Sequence, residues 1–175
     1  MAILKIEYYP ADILTIPAAP VNKFGSHLRD LAADMFETMY KFDGVGLAAP
    51  QVGLSQRLIV VDSRQAPNEK LVLVNPSIVS RQGQELGPEG CLSLPGLFAE
   101  VLRATEISVR ATDCSGTPVS INATGFLARI LQHEIDHLDG IVFPDRLDPF
   151  ERDSKLTEYE KMRAEPVSNE FKGQE

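Results

Sequence analysis

The chain has no tryptophan, only two cysteines and only three histidines among its 175 residues. Two cysteines cannot build a disulfide scaffold, so stability must come from apolar packing, and a reducing compartment fits. Basic residues are also scarce: 17 Lys and Arg face 25 Asp and Glu, for a formal net charge of −8. That balance argues against a general nucleic-acid binder and against an anchor for acidic membranes. No apolar run approaches the ~20 residues of a membrane-spanning helix. The opening, MAILKIEYYPADI, shows neither the basic start nor the apolar stretch of a secretory leader. Internal repeats and long linkers are missing too. These absences set the expectation of one cytoplasmic domain over residues 1–175, with no nucleic-acid or membrane partner and a fraying tail at 165–175.

Two of the three histidines fall in Gln132-His133-Glu134-Ile135-Asp136-His137. Leu127, Ile130, Leu131 and Leu138 recur at helical spacing around them, which predicts a helix over 124–138. Residues four apart project from one helical face, so both imidazoles can reach one divalent metal. Glu134, beside the first, can take a proton from a water held there. A histidine pair still needs a third ligand. The spacing resembles the start of the metzincin metalloproteases, but Phe143 stands where that family has its third histidine. Glu158 or Glu160 could serve in a peptidase-like site. Cys91, in Glu89-Gly90-Cys91-Leu92-Ser93-Leu94-Pro95-Gly96, is the better candidate, because a thiolate suits a first-row divalent ion. Cys114 lies among turn residues and is read as structural.

The remaining segments frame this helix. Residues 3–9 and 13–16, flanked by Pro10, Pro17 and Pro20, suit extended chain wrapped over the body. Ser26 is placed to cap a helix with its apolar stripe at Leu28, Leu31, Ala32, Met35 and Met39. His27 reads as a surface residue. Arg57–Asp62 and Lys70–Val74 read as strands, the second ended by Asn75-Pro76, with 78–85 a weaker continuation. Val101–Ala111 and Thr117–Ala123 read as a hairpin around Asp113-Cys114-Ser115-Gly116. Pro149–Arg163 reads as a charged, mostly solvated helix. Together they define an α+β fold: mixed or antiparallel sheets around a central metal-binding helix, closed by a C-terminal helix.

Gly44-Val45-Gly46-Leu47-Ala48-Ala49-Pro50-Gln51 satisfies G-x-G-x-x-A, yet it follows a helix rather than a strand, and Pro50 would interrupt a following helix. A dinucleotide fingerprint is therefore rejected. The segment is either backbone that approaches a ligand, with Gln51 at its edge, or a tight turn between helix and sheet.

These three stretches, in this order and spacing, resemble the three motifs of the peptide deformylases. The resemblance covers nearly the whole chain. It implies a hydrolase that removes the N-formyl group from nascent formyl-methionyl peptides. Cys91, His133 and His137 would hold the metal, Fe(II) in most of the family, with Zn, Ni or Co able to replace it. Glu134 would shuttle the proton, while the Gln51 amide and the Leu92 backbone N–H would face the oxyanion. The peptide would lie along Val45, Gly46 and Gly90. Val45, Phe126, Ile130 and the His133 ring would line the methionine pocket, with the Arg129 stem beside them and its charge in water. Two features depart from the family. Gly96-Leu97-Phe98-Ala99 is apolar where many members carry an arginine or tyrosine that reaches the peptide. From Arg146 onward six basic residues meet eight acidic ones, which speaks against docking on the ribosome through this tail.

Overall fold

The computed structural model describes residues 2–164; the tail expected to fray, 165–175, lies outside them. The helix α1, Ser26–Lys41, leads into a short strand β1, Gly46–Ala48, and then β2, Leu58–Asp62. Next come β3 (Lys70–Gln82), the pair β4 (Glu85–Cys91) and β5 (Leu94–Arg103), and the pair β6 (Glu106–Thr112) and β7 (Pro118–Thr124). Helices α2, Gly125–Leu138, and α3, Pro149–Ala164, complete the order. A five-stranded sheet runs β1-β2-β3-β6-β7, and β4-β5 forms a separate hairpin; every pairing is antiparallel. The α+β expectation holds.

Strand β2 shows why the core sits where it does. Successive side chains leave a strand on opposite faces. Leu58 and Val60 enter one apolar cluster with Leu28, Met35 and Met39 of α1, whereas Ile59 and Val61 enter another with Ile130, Leu131 and Ile135 of α2. A strand buried on both faces has no polar alternation, which is why LIVV reads as a plain apolar run. A third cluster seals β5 (Leu94, Leu97, Val101) against Val142, Phe143 and Tyr159, so α3 is docked through Tyr159 despite its charge. The N-terminal segment wraps over the body: Glu7 N–H donates to the Gln51 carbonyl at 2.8 Å and Tyr9 N–H to that of Ser93 at 2.9 Å. Residues 13–16, expected to be extended, instead belong to a tight turn that starts with a short 3-10 helix at Asp12–Leu14, closed by Leu14 N–H to the Ala11 carbonyl and Thr15 N–H to the Asp12 carbonyl at 3.0 Å each.

Three further expectations are corrected. Ser26 is the first helical residue rather than the cap; Gly25 holds the cap position without a side-chain bond. Asn75-Pro76 does not end β3. Asn75 takes φ +50, and the register with β6 shifts between Val74 and Ser77, so an irregularity carries the proline out of the ladder. The Asn75 amide meanwhile pairs with both the N–H and the carbonyl of Val21, at 2.9 Å each. Finally, 101–111 is not one strand: β5 ends at Arg103 and β6 begins at Glu106, in different sheets.

Candidate metal centre

Helix α2 is buried along most of its length, from Leu127 and Ala128 through Ile130 to Leu138, and its apolar residues join the cluster under the five-stranded sheet while its polar ones are buried as well. That packing fixes the two imidazoles. His133 Nε2 and His137 Nε2 stand 3.2 Å apart. Cys91 ends β4 where the register with β5 shifts, and its Sγ lies 3.2 Å from His137 Nε2. The three ligand atoms fall within 4.8 Å of one another. Ligand bonds of ~2.0–2.3 Å around a tetrahedral ion put donor atoms roughly 3.3–3.7 Å apart, close to this spacing. One proton can bridge only one of these pairs, whereas a cation between them serves all three lone pairs. The group could therefore hold a metal ion. Among the described residues neither Glu158 nor Glu160 joins this group, and Glu158 pairs with Lys155 on α3, so the peptidase-like alternative finds no ligand here.

Around the ligands lies a set of charges whose individual roles the sequence did not reveal. Glu89 Oε2 sits 2.9 Å from His133 Nδ1, the arrangement that turns the Nε2 lone pair toward a metal. Arg103 grips Glu89 with two bonds, Nε–Oε1 2.8 Å and Nη2–Oε2 2.9 Å, and sends Nη1 to Asp136 at 2.6 Å. Arg146 reaches Asp136 as well, at 2.9 Å through Nε. Gln132 spans Ala104, accepting from its N–H at 3.0 Å and donating to its carbonyl at 2.9 Å, and so ties α2 to the joint between β5 and β6. Burial alone would raise Glu89, but the Arg103 and His133 bonds prevail and hold it at about 2. Burial pushes Glu134 up to about 7. The imidazoles diverge: burial drives His137 well down, while bonds to Cys91 and Glu89 overcome the burial of His133 and drive it well up.

A cavity of about 650 Å³ opens over this group. Every residue proposed from sequence lines it except His137, which lies behind: Val45, Gly46, Gln51, Gly90, Cys91, Leu92, Phe126, Ile130, His133 and Glu134. Gln51 is oriented by its carbonyl oxygen, which accepts the Ala48 N–H at 2.8 Å; its Nε2 lies 3.4 Å from Cys91 Sγ and 3.3 Å from Ser93 Oγ, so the donor end faces the ligands. Glu134 Oε2 is buried without a hydrogen-bond partner among the described residues. Arg129 differs from expectation. Its guanidinium turns inward to Glu89 and to the carbonyls of Glu85, Gly87 and Val101 instead of reaching water. A larger cleft, about 870 Å³, lies beside Arg81, Arg103 and Arg146 and contains none of the three ligands.

Two helical imidazoles, a strand-end cysteine sulfur and a buried carboxyl group beside a cleft are the residue set of a metal-dependent hydrolase. Residues 3–153 match the family described as Polypeptide deformylase. The chain is 46% identical over 165 residues to the peptide deformylase of Acidobacterium capsulatum, spanning 93% of this chain and 97% of that protein. It is 42% identical over 160 residues to peptide deformylase 1 of Bacillus subtilis, spanning 91% and 99%. The crystal structure of a peptide deformylase from Legionella pneumophila superposes with a TM-score of 0.84 at 46% identity, covering 94% of this chain and 99% of that one. This chain belongs to the peptide deformylase family, metal-dependent hydrolases that remove N-formyl groups from nascent peptides.

Proposed function

We propose that Cys91, His133 and His137 hold one divalent ion and that Glu134, Gln51 and Leu92 carry out formamide hydrolysis over it. The observation that carries this reading is the convergence of the three ligand atoms within 4.8 Å beside a buried Glu134 oxygen that has no other partner among the described residues. When bound, the ion supplies a water acidified from ~15.7 toward ~7 and a Lewis acid for the formyl oxygen. Glu134 takes the proton at its free oxygen and passes it to the departing amine nitrogen; a carboxyl pushed up to about 7 suits both tasks. Gln51 Nε2 and the Leu92 N–H donate to the oxygen as it gains charge, where one such donor is worth about 2.7–4 kcal/mol. Glu89 keeps the His133 tautomer, and Arg103 keeps Glu89.

The peptide lies between Val45-Gly46 and Gly90, with methionine against Val45, Phe126 and Ile130. Fe(II) is the ion we expect, by family resemblance, with Zn, Ni or Co as substitutes that a Cys-His-His set also suits. The whole chain, 1–175, acts as one catalytic unit in the cytoplasm on nascent formyl-methionyl peptides. It does so without nucleic acid and without ribosome docking through its acidic end. Among the described residues, no helix is long and apolar enough to cross a membrane.

The test is formate release from formyl-Met-Ala-Ser under anaerobic conditions with Fe(II) or Ni(II) supplied. Glu134→Ala should lower the rate by about 10²–10⁴ with metal content unchanged. Cys91→Ala should lose the metal. No release from folded, metal-loaded protein would end this reading.

A further inference from the structure

Arg64 lies beyond the end of β2, outside the cavity, and formamide hydrolysis makes no use of it. Its backbone has φ +59, and Asp43 has φ +56. Both sit in the left-handed region that a β-carbon disfavours, and such conformations persist where the surroundings enforce them. The two residues enforce each other. Arg64 Nη1 donates to Asp43 Oδ1 at 2.8 Å, and Nη2 donates to the Gly44 carbonyl at 2.9 Å.

The neighbouring bonds tie the same short segment. Asp62 N–H donates to the Val45 carbonyl at 2.9 Å, while Asp62 Oδ1 accepts the Arg64 N–H at 2.9 Å. Tyr40 OH donates to Asp62 Oδ2 at 2.6 Å, and the Arg64 guanidinium lies 5.6 Å from the Tyr40 ring centroid. Gly44 N–H returns to the Met39 carbonyl at 2.9 Å. From the inside, a β-carbon on Gly44 would meet Leu92 Cδ1 at 3.0 Å. The turn from α1 into β1 is thus wedged against Leu92 on one side and bracketed by Arg64 on the other. Among the described residues β1 pairs with β2 alone, so its second edge is left unpaired where Val45 and Gly46 line the cavity.

We propose that Arg64 is a positioning residue whose guanidinium holds the Asp43-Gly44 turn so that the Val45-Gly46 edge stands ready for the main chain of the peptide. The inference rests on reading that edge as the wall the peptide pairs with. An edge formed in advance spares the ordering cost at binding, so the effect falls on KM. The metal ligands are held by α2 and β4 and are not tied to Arg64. Asp43 is 90% exposed, so its share of the clamp is salt-screened; the bond to the Gly44 carbonyl is geometric and persists.

The experiment compares wild type with Arg64→Gln and Arg64→Lys on formyl-Met-Ala-Ser and on formyl-methionine alone. Amide hydrogen exchange of residues 42–47 is measured without substrate. Arg64→Gln should raise KM for the tripeptide about three- to tenfold, the scale of one or two charge-assisted bonds at a partly exposed site, with kcat within about twofold. Formyl-methionine, which lacks a downstream main chain, should change less. Exchange at 42–47 should rise. Arg64→Lys keeps the charge but cannot bridge both acceptors and should fall between. Unchanged exchange, or raised exchange with unchanged KM, overturns the proposal. So does a fall in kcat that tracks a lowered melting temperature. A wild type that releases no formate fails the functional reading first and takes this inference with it, whereas an active wild type with an indifferent Arg64→Gln overturns the inference alone.

Discussion

Gly46 and Glu134 touch, backbone to carboxylate. A β-carbon on Gly46 would fall inside contact distance of Glu134 Oε1, Cδ and Cγ together. The glycine is needed for space, since no positive φ is imposed at this position. Gly46→Ala should therefore displace the carboxylate while β1, held by the β2 ladder, stays in place. A shift near 1 Å at a reacting group costs about a hundredfold. We expect kcat/KM for formate release to fall about that much, with metal content and melting temperature near wild type. Wild-type activity in Gly46→Ala would show that Glu134 is not the proton shuttle.

Glu89 links His133 to the charge network. It faces Arg103, Arg129 and His133 with its side chain 4% exposed. Replacing it leaves a buried guanidinium short of its partner, a change that costs about 3–5 kcal/mol at buried pairs. It also releases His133 Nδ1, and loss of such a partner lowers metal affinity about 10–100-fold. Glu89→Gln should show both effects, by denaturant unfolding and by competition with a chelator for the bound ion. Loss of stability with metal affinity intact would restrict Glu89 to the fold.

The contrast between Glu89 and the ligands shows what a sequence displays. His133 and His137 share one helix, and the period of 3.6 puts them together without knowledge of the fold. Cys91, Gln51 and the glycines come inside compact stretches that a family resemblance can recognise. The network of Glu89, Arg103, Asp136 and Arg146 has no such signature, because each member lies on a separate element, and Glu89, Arg103 and Arg146 read as further surface charges. Asp136 stands inside the histidine motif and reads as a supporting or packing residue, but its arginine partners, 33 residues before it and 10 after it, carry no mark of the pairing. Strand β3 misleads for a related reason. Proline forbids a ladder bond, and only the irregularity at Asn75 shows how the strand passes it. The joint at Ala104-Thr105 is hidden because residues 101–111 are apolar enough for one strand, while Arg103 and Glu106 belong to different sheets.

Tyr40 and Asp62 give the turn beside the cavity a pH signature. Burial, then the bond to Asp62, pushes the Tyr40 phenol up to about 12. The same bond holds Asp62 below its ordinary range. A group with a raised folded pKa favours the fold fully below its ordinary value, here 10.0, and loses that contribution as pH rises through about 12. The difference between wild type and Tyr40→Phe in an absorbance titration at alkaline pH should show one phenol ionising near 12. Stability should fall between pH 10 and 12 more steeply in wild type than in Tyr40→Phe. A difference spectrum centred at 10 would remove the bond to Asp62 from the account.

Phe98 is placed to meet peptide residues downstream of methionine, and we expect it to select among them. Its ring is 63% exposed at the cavity mouth and lies flush on Gly90, where a β-carbon would come within 2.6 Å of Cε1. Phe42 and Phe126 line the same cavity and are also exposed. An apolar residue downstream of methionine that covers about 50 Å² of this surface gains ~1.3 kcal/mol at ~25 cal/mol per Å², roughly eightfold in kcat/KM. An acidic residue there finds no arginine of the kind many family members carry at this position. Formyl-Met-Ala-Phe should therefore be preferred over formyl-Met-Ala-Asp, and Phe98→Ala should erase most of the preference while hydrolysis of formyl-methionine itself stays unchanged. If Phe98→Ala keeps the full preference, selection lies in the methionine pocket and the exposed ring plays no part in choosing the peptide.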